Sequence, residues 1–304
     1  MEAYQLRYFL AVAEMSNFTK AAKRCNVSQP SLSQQILNLE DELGQKLFNR
    51  LGRKVSLTEH GNTLANAARQ IVTDIDNVTK EIKQDTSCPH VAVGAVPSIA
   101  TFFLPAVLAY CRETGTVLDL TAREDYHNAI IEATLEGELD WGLITLPARD
   151  ARLHVEPLFV EPLLLAVGAS HPLAKLPVVQ ASDLHNQTFI MQGQGSSLTA
   201  KIRQFCGDND IEPRIGFSCA QIATVKIFTA LGMGVTILPL SAHSANDPVG
   251  LVFKKFAGRG PVREVGMVRH RRRHLSRGAS LFAEAAKAVV GPSDRTIPTA
   301  IKKT

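Results

Sequence analysis

The sequence predicts an α/β protein with an all-α head: a short helical N-terminal domain, one long linker helix, then two α/β subdomains. Three patterns carry this expectation. Apolar residues up to about residue 57 recur at helical spacing in short segments. A heptad-like seam runs from Leu64 to Ile82. From Val91 onward, short apolar runs alternate with helical stretches. Alternation of that kind indicates strands joined by helices, with largely parallel sheets.

In the head, Leu6, Phe9, Leu10 and Ala13 fall on one face of a first helix. The stretch "NFTKAAKRCNVSQPSLSQQILNLE" holds two more helices with a break at Asn26-Val27-Ser28. Asn17 and Thr19 suit the start of the first of these, which runs to about Cys25. Ser28 suits the N-cap of the next, and Pro30 is tolerated in its first turn, where N–H groups have no intrahelical partner. Leu32, Ile36, Leu39 and Leu43 mark its buried face, and Gly44 ends it. Pro30, Gln34 and Asp41 lie opposite, with Ser33 and Asn38 flanking them. Leu37 shares that side, which is unusual for a solvated surface. The run "NRLGRKVSLT" then reads as a two-stranded wing turning at Gly52 and carrying Arg50, Arg53 and Lys54.

Thr58 caps the linker helix. Within it Leu64, Ala68, Ile71, Ile75, Val78 and Ile82 are spaced 4, 3, 4, 3, 4, a seam suited to helix–helix packing. About 25 residues at 1.5 Å each make a rod of about 37 Å. Such a rod cannot bury its own seam, so a second copy of the chain is its expected partner. After Asp85–Pro89 the α/β texture begins with "VAVGAV" and continues through "WGLITL", "PLLLAVG", "TFIMQ" and "REVGMV". The last helix runs from about Ser276 to Val290, and residues 291–304 read as a loose tail.

The 304 residues carry a formal net charge of +4, mildly basic, which permits an anionic partner without demanding one. The start is too polar for a signal peptide and no run approaches a membrane span, so a cytoplasmic location is expected. Cys25, Cys88, Cys111, Cys206 and Cys219 lack the spacing of a zinc site and are expected to be free thiols. No cofactor or metal is expected. Neither GxSxG, P-loop, Rossmann fingerprint nor HExxH is present, which argues against an enzyme. An exported solute-binding protein would share the α/β half but would not need the head.

The run "LRYFLAVAE…FTKAAKRCNVSQPSLSQQILNLEDELGQKLFNR…RKVSLTEHG" resembles the LysR-type transcriptional regulators. The resemblance implies a winged helix-turn-helix over 1–60, a linker and dimerisation helix over 58–87, and an effector domain over 88–290. That domain would comprise subdomain I (about 88–163 and 264–290) and subdomain II (about 164–263), similar to a type 2 periplasmic binding protein with ligand in the cleft. Double-stranded operator DNA, RNA polymerase, a small-molecule effector and further copies of the chain, as dimer or tetramer, are the partners it implies. "RCNVSQPSLS", "PLFVEPLLLAV" and "IMQGQGSSLTAKIRQFC" resemble the OxyR-like branch, which senses peroxide through two cysteines. In that register Cys206 holds the resolving position and Ser197 the peroxidatic one. A serine hydroxyl does not form the attacking thiolate. The alternative is a redox regulator that uses Cys206 with another thiol.

Gln29, Pro30, Ser31, Ser33 and Gln34 open the second helix of the helix-turn-helix, where side chains reach base edges in the major groove. Glutamine amides can bond adenine bidentately and serine hydroxyls several bases. Arg50, Arg53 and Lys54 on the wing suit phosphates or the minor groove. For the effector, strand ends and helix starts nominate Ser98, His127, Asn128, Thr145, Ser196, Ser197 and Cys219. Helix N-termini favour anions, so a carboxylate is the expected ligand class. Read as local structure alone, the same residues are simple caps. "RHRRRH", Arg269 to His274, is the densest positive charge and reads first as a solvated turn.

Overall fold

In the computed structural model, residues 1–51, 54–83 and 88–291 are described. The side chains of Arg50, Leu51, Lys54, Asn77, Lys80, Glu81 and Lys83 are not. Two compact units emerge, one built on Met1–Gln84 and one holding the bulk of the remaining chain.

The first unit is three helices, a hairpin and a rod: α1 (Ala3–Met15), α2 (Phe18–Arg24), α3 (Gln29–Leu43), β1 (Phe48–Leu51), β2 (Lys54–Leu57) and α4 (Glu59–Lys83). Local chemistry sets the breaks. The Asn17 side chain accepts a bond from the Lys20 N–H and starts α2, and the Ser28 hydroxyl does the same for α3 through the Ser31 N–H. Gly44, in the left-handed region at φ 64°, ends α3. Leu6, Phe9, Leu32, Ile36 and Leu39 form the core, and the Phe9 and Phe18 rings both pack on Phe48, which ties the hairpin to the helices. Each such buried side chain contributes about 1.5–3 kcal/mol. Leu43 departs from expectation: it is 40% exposed, because it is the last helical residue and stands past the edge of the α1–α2 core. The buried Glu40 carboxylate accepts bonds from the Leu47 and Phe48 N–H groups and from Lys46 Nζ, and so holds the turn into the wing.

On α4 the seam divides. Ala68 is buried against the head's own core and Leu64 packs on it, whereas Ile71, Ile75, Val78 and Ile82 stay exposed. Arg7 on α1 forks onto Asp76 with bonds of 3.0 and 2.6 Å, fixing α1 along the rod.

The second unit contains β3 (His90–Ala95), α5 (Pro97–Ala100), α6 (Leu104–Glu113), β4 (Asp119–Glu124), α7 (His127–Leu135), β5 (Trp141–Thr145) and β6 (Leu153–Gly168). It continues with β7 (Thr188–Gln192), α8 (Ser197–Gly207), β8 (Arg214–Cys219), α9 (Ile222–Ala230), β9 (Thr236–Pro239), β10 (Leu251–Lys254), β11 (Val262–His270) and α10 (Arg277–Val290). Strand β3 runs parallel to β4 and β5, and β7 parallel to β8. The expectation of largely parallel sheets needs correcting. Strand β11 pairs antiparallel with β5 and β6, and β6 antiparallel with β9 and β10. The reason is β6 itself: sixteen residues pass from one core to the other, and β11 runs back beside them in the opposite direction. Pro157 is accommodated opposite a register shift at Val265/Gly266.

Two cores result. One gathers Val91, Phe103, Trp141, Phe159, Met267 and Phe282; the other Leu165, Phe189, Ile190, Ile202, Val225 and Ile237. Trp141 Nε1 donates to the Ala279 carbonyl at 2.8 Å and docks α10 on the first sheet. Among the described residues, no helix is long and apolar enough to cross a membrane.

Candidate functional site

The first candidate is the outward face of α3. Gln29, Pro30, Ser31 and Gln34 are exposed and Ser33 is half-buried, while Leu32, Ile36 and Leu39 hold the opposite face in the core. Two amides are braced one turn along: Gln29 Nε2 donates to Ser33 Oγ at 2.8 Å, and Gln34 Nε2 to Asn38 Oδ1 at 3.0 Å. Each retains an amide oxygen and an N–H for another partner. Arg50 and Lys54 sit in β1 and β2, and their side chains, like all of Arg53, lie outside the described residues.

The second candidate is a cavity of about 470 Å³ in the α/β unit, between the starts of α7 and α8 and the end of β5. It brings together five of the residues nominated from sequence: His127, Asn128, Thr145, Ser196 and Ser197. Ser196 caps α8, accepting from the Thr199 N–H and donating to Gln192 Oε1 at 3.0 Å. Ser197 is the first helical residue, and its hydroxyl donates to Thr145 Oγ1 at 3.3 Å. Gly195, at φ +99°, makes the turn into α8 beside the Tyr126 ring. His127 opens α7. Burial holds its imidazole below the ordinary 6.5, and its buried Nδ1 has no partner among the described residues. Gln194, Lys201, Arg203 and Gln204 complete the polar lining. These four escaped the sequence reading, which looked for caps. Lys201 and Gln204 follow from the helical period, lying one and two turns beyond Ser197, whereas Gln194 sits in the loop before α8.

Two nominated residues stand elsewhere. Ser98 is not in this lining. It is buried, its hydroxyl and carbonyl accepting bonds of 2.6 and 3.0 Å from Arg263, which also reaches Glu161. Cys219 is buried in the second core rather than at the cavity wall. Cys206 lies in that same core, where burial pushes its thiol up to about 11, with Arg203 opposing. Burial raises Cys219 as well. Both are free thiols.

The "RHRRRH" run is only partly a solvated turn. Arg271 and Arg272 are exposed. Arg273 is buried, donates to the Leu139 carbonyl at 2.8 Å and pairs with Asp140 at 3.2 Å, because the turn folds back over β5. Among the described residues, no group of three or more His, Cys, Asp or Glu could hold a metal ion.

A helix-turn-helix with a hairpin wing, joined to an α/β unit with a cavity that carries a few polar and charged side chains, is the build of a ligand-controlled transcriptional regulator. Comparison with known proteins agrees. Residues 4–62 match the family described as bacterial regulatory helix-turn-helix protein, lysR family, and residues 84–291 match the LysR substrate binding domain. The chain belongs to the LysR family of DNA-binding transcriptional regulators. It is 30% identical over 306 residues to the DNA-binding transcriptional dual regulator OxyR of Escherichia coli, covering 99% of this chain and 100% of that protein. A full-length OxyR variant from Pseudomonas aeruginosa has a similar structure, with a TM-score of 0.74 and 24% identity over 94% of this chain and 95% of that one. A hydrogen-peroxide-bound OxyR cysteine-to-serine variant from Corynebacterium glutamicum matches with a TM-score of 0.62 and 26% identity, over 94% of this chain and 92% of that one.

Proposed function

We propose that this LysR-family regulator answers to a small anionic ligand, a carboxylate foremost, held in the cavity at the starts of α7 and α8, and that it has lost cysteine-based peroxide sensing. The observation that carries the reading is Ser197. In the OxyR-like register it stands at the peroxidatic position, and it lines the cavity as the first residue of α8 with its hydroxyl on Thr145. A hydroxyl there can bind a ligand but cannot enter a disulfide. The remaining thiol of the pair, Cys206, is buried and protonated at neutral pH, so it is a poor nucleophile. The positive ends of the helix dipoles at the starts of α7 and α8, with Lys201 and Arg203 in the lining, favour a negative ligand.

The rest of the assignment follows the sequence. Gln29, Pro30, Ser31, Ser33 and Gln34 read bases, and Arg50, Arg53 and Lys54 hold phosphates. The exposed part of the α4 seam pairs with a second copy to give a dimer, extended to a tetramer through the effector domains, and RNA polymerase is the protein partner in the cytoplasm. The hydrogen-peroxide-bound OxyR variant from Corynebacterium glutamicum is a precedent for a small ligand bound by a relative in which a serine replaces a cysteine.

Thermal-shift screening of the full chain against a panel of small carboxylates tests the effector assignment. A stabilising carboxylate whose effect disappears in Ser197→Ala supports it. Stabilisation by neutral analogues alone, or an undiminished response in Ser197→Ala, contradicts it.

A further inference from the structure

We infer that Leu37 is a specificity-determining residue that reads the C5-methyl group of a thymine in the major groove. The inference rests on α3 being the recognition helix. The outward face of α3 is built of two rows at i, i+4, i+8: Gln29–Ser33–Leu37 and Pro30–Gln34–Asn38. The bonds from Gln29 to Ser33 and from Gln34 to Asn38 fix both amides along these rows. What each amide leaves outward is one acceptor and one N–H, the pair that matches adenine N6 and N7. Every adenine read this way brings a thymine on the opposite strand, and its methyl group projects into the same groove.

Leu37 completes the first row; it is half-buried, yet its remaining apolar surface faces away from the core of the head. It belongs neither to the core of the head nor to the partly buried apolar residues packed on that core. Its helical neighbours at i−4, i−3 and i+4 are Ser33, Gln34 and Asp41, all polar. An apolar side chain outside the core gains by covering another apolar surface. At base edges in the major groove, the thymine methyl is that surface. Eight residues separate Leu37 from Gln29, about 12 Å along the axis, so its base pair lies about three to four steps from the one Gln29 reads.

The test uses the full-length chain and the duplex it selects from a random-sequence library. Each thymine in that duplex is replaced in turn by deoxyuridine, which keeps base pairing and removes only the methyl. Affinities are measured for the wild type and for Leu37→Ala, Gln29→Ala and Gln34→Ala. One thymine per half-site is expected to be methyl-sensitive, by about four-fold for one buried methyl. Leu37→Ala is expected to bind the thymine and deoxyuridine duplexes equally. The inference is overturned if the wild type has no methyl-sensitive thymine, a result that needs no variant. It is also overturned if Leu37→Ala keeps the full sensitivity. If the two glutamine variants lose base preference in that case, Leu37 alone was misassigned. If they too bind and select as the wild type does, the assignment of α3 as the recognition helix fails.

Discussion

Arg263 on β11 and Glu161 on β6 are register partners and a buried ion pair, with Arg263 Nε 2.6 Å from Glu161 Oε1 and both side chains at most 1% exposed. The second Glu161 oxygen accepts the Ser241 N–H at 3.0 Å, and the guanidinium grips Ser98. The pair thus sits where β6 passes from one core to the other, and ties an element of each to the crossing strands. Breaking it leaves an uncompensated buried charge. Arg263→Ala is expected to cost about 3–5 kcal/mol, read as a lower urea midpoint for the effector domain. A loss below about 1 kcal/mol would mean that water reaches Glu161.

Glu40 makes a pH prediction for the head. Burial raises its pKa, but bonds from the Leu47 N–H, Lys46 and the Phe48 N–H outweigh this and hold it below the ordinary 4.5. A carboxylate lowered in the folded state adds stability above its unfolded value, and that stability is lost as pH falls through the folded value. Glu40→Gln should therefore melt below the wild type at pH 7, with the gap closing as the pH drops below 4.5. A gap that widens on acidification would reverse the sign.

In the proposed dimer, the exposed part of the α4 seam forms the contact between copies. Ile71 and Ile75 are 39% and 37% exposed, whereas Ala68 is already used inside the head. Ile71→Glu with Ile75→Glu is expected to convert a dimer or tetramer to monomer in light scattering, since unpaired charges in an apolar seam cost several kcal/mol, about 2 or more each. A wild-type chain that is monomeric at micromolar concentration would remove the seam from the assembly.

The two DNA elements should separate in their salt response. Gln29→Ala is expected to lose about 1–3 kcal/mol of base discrimination, with an unchanged salt slope. Arg53→Ala is expected to weaken binding to all sequences alike and to lower the slope by about one unit. Ser28→Ala, which removes the α3 cap, should cost about 1 kcal/mol of stability. Filter binding across a salt series separates the first two, and thermal melting reads the third.

The head was legible because its signals are local: Asn17, Ser28 and Gly44 each act within four residues of themselves. The five cavity residues at helix starts and a strand end were legible for the same reason. The long β6 was not, since Pro157 and Pro162 look like breaks and its partner β11 lies about a hundred residues on. The fate of Ser98 was equally hidden, because the group that takes its hydroxyl, Arg263, is 165 residues away in sequence. Arg273 looked solvated only because its partner Asp140 lies on a distant element. Local caps and periods survive in one dimension; pairings set by the return of a distant strand do not.

The proposed exchange of thiol for hydroxyl at Ser197 is tested most directly by mapping the thiols with mass spectrometry after peroxide treatment. Measured on the full chain alongside operator binding, Cys206 and Cys219 should remain reduced on the time scale of the binding assay, and DNA affinity should be the same in the wild type and in Cys206→Ser. A fast, reversible disulfide between Cys206 and Cys219, with a peroxide response that vanishes in Cys206→Ser, would contradict it and make this chain a thiol-based sensor.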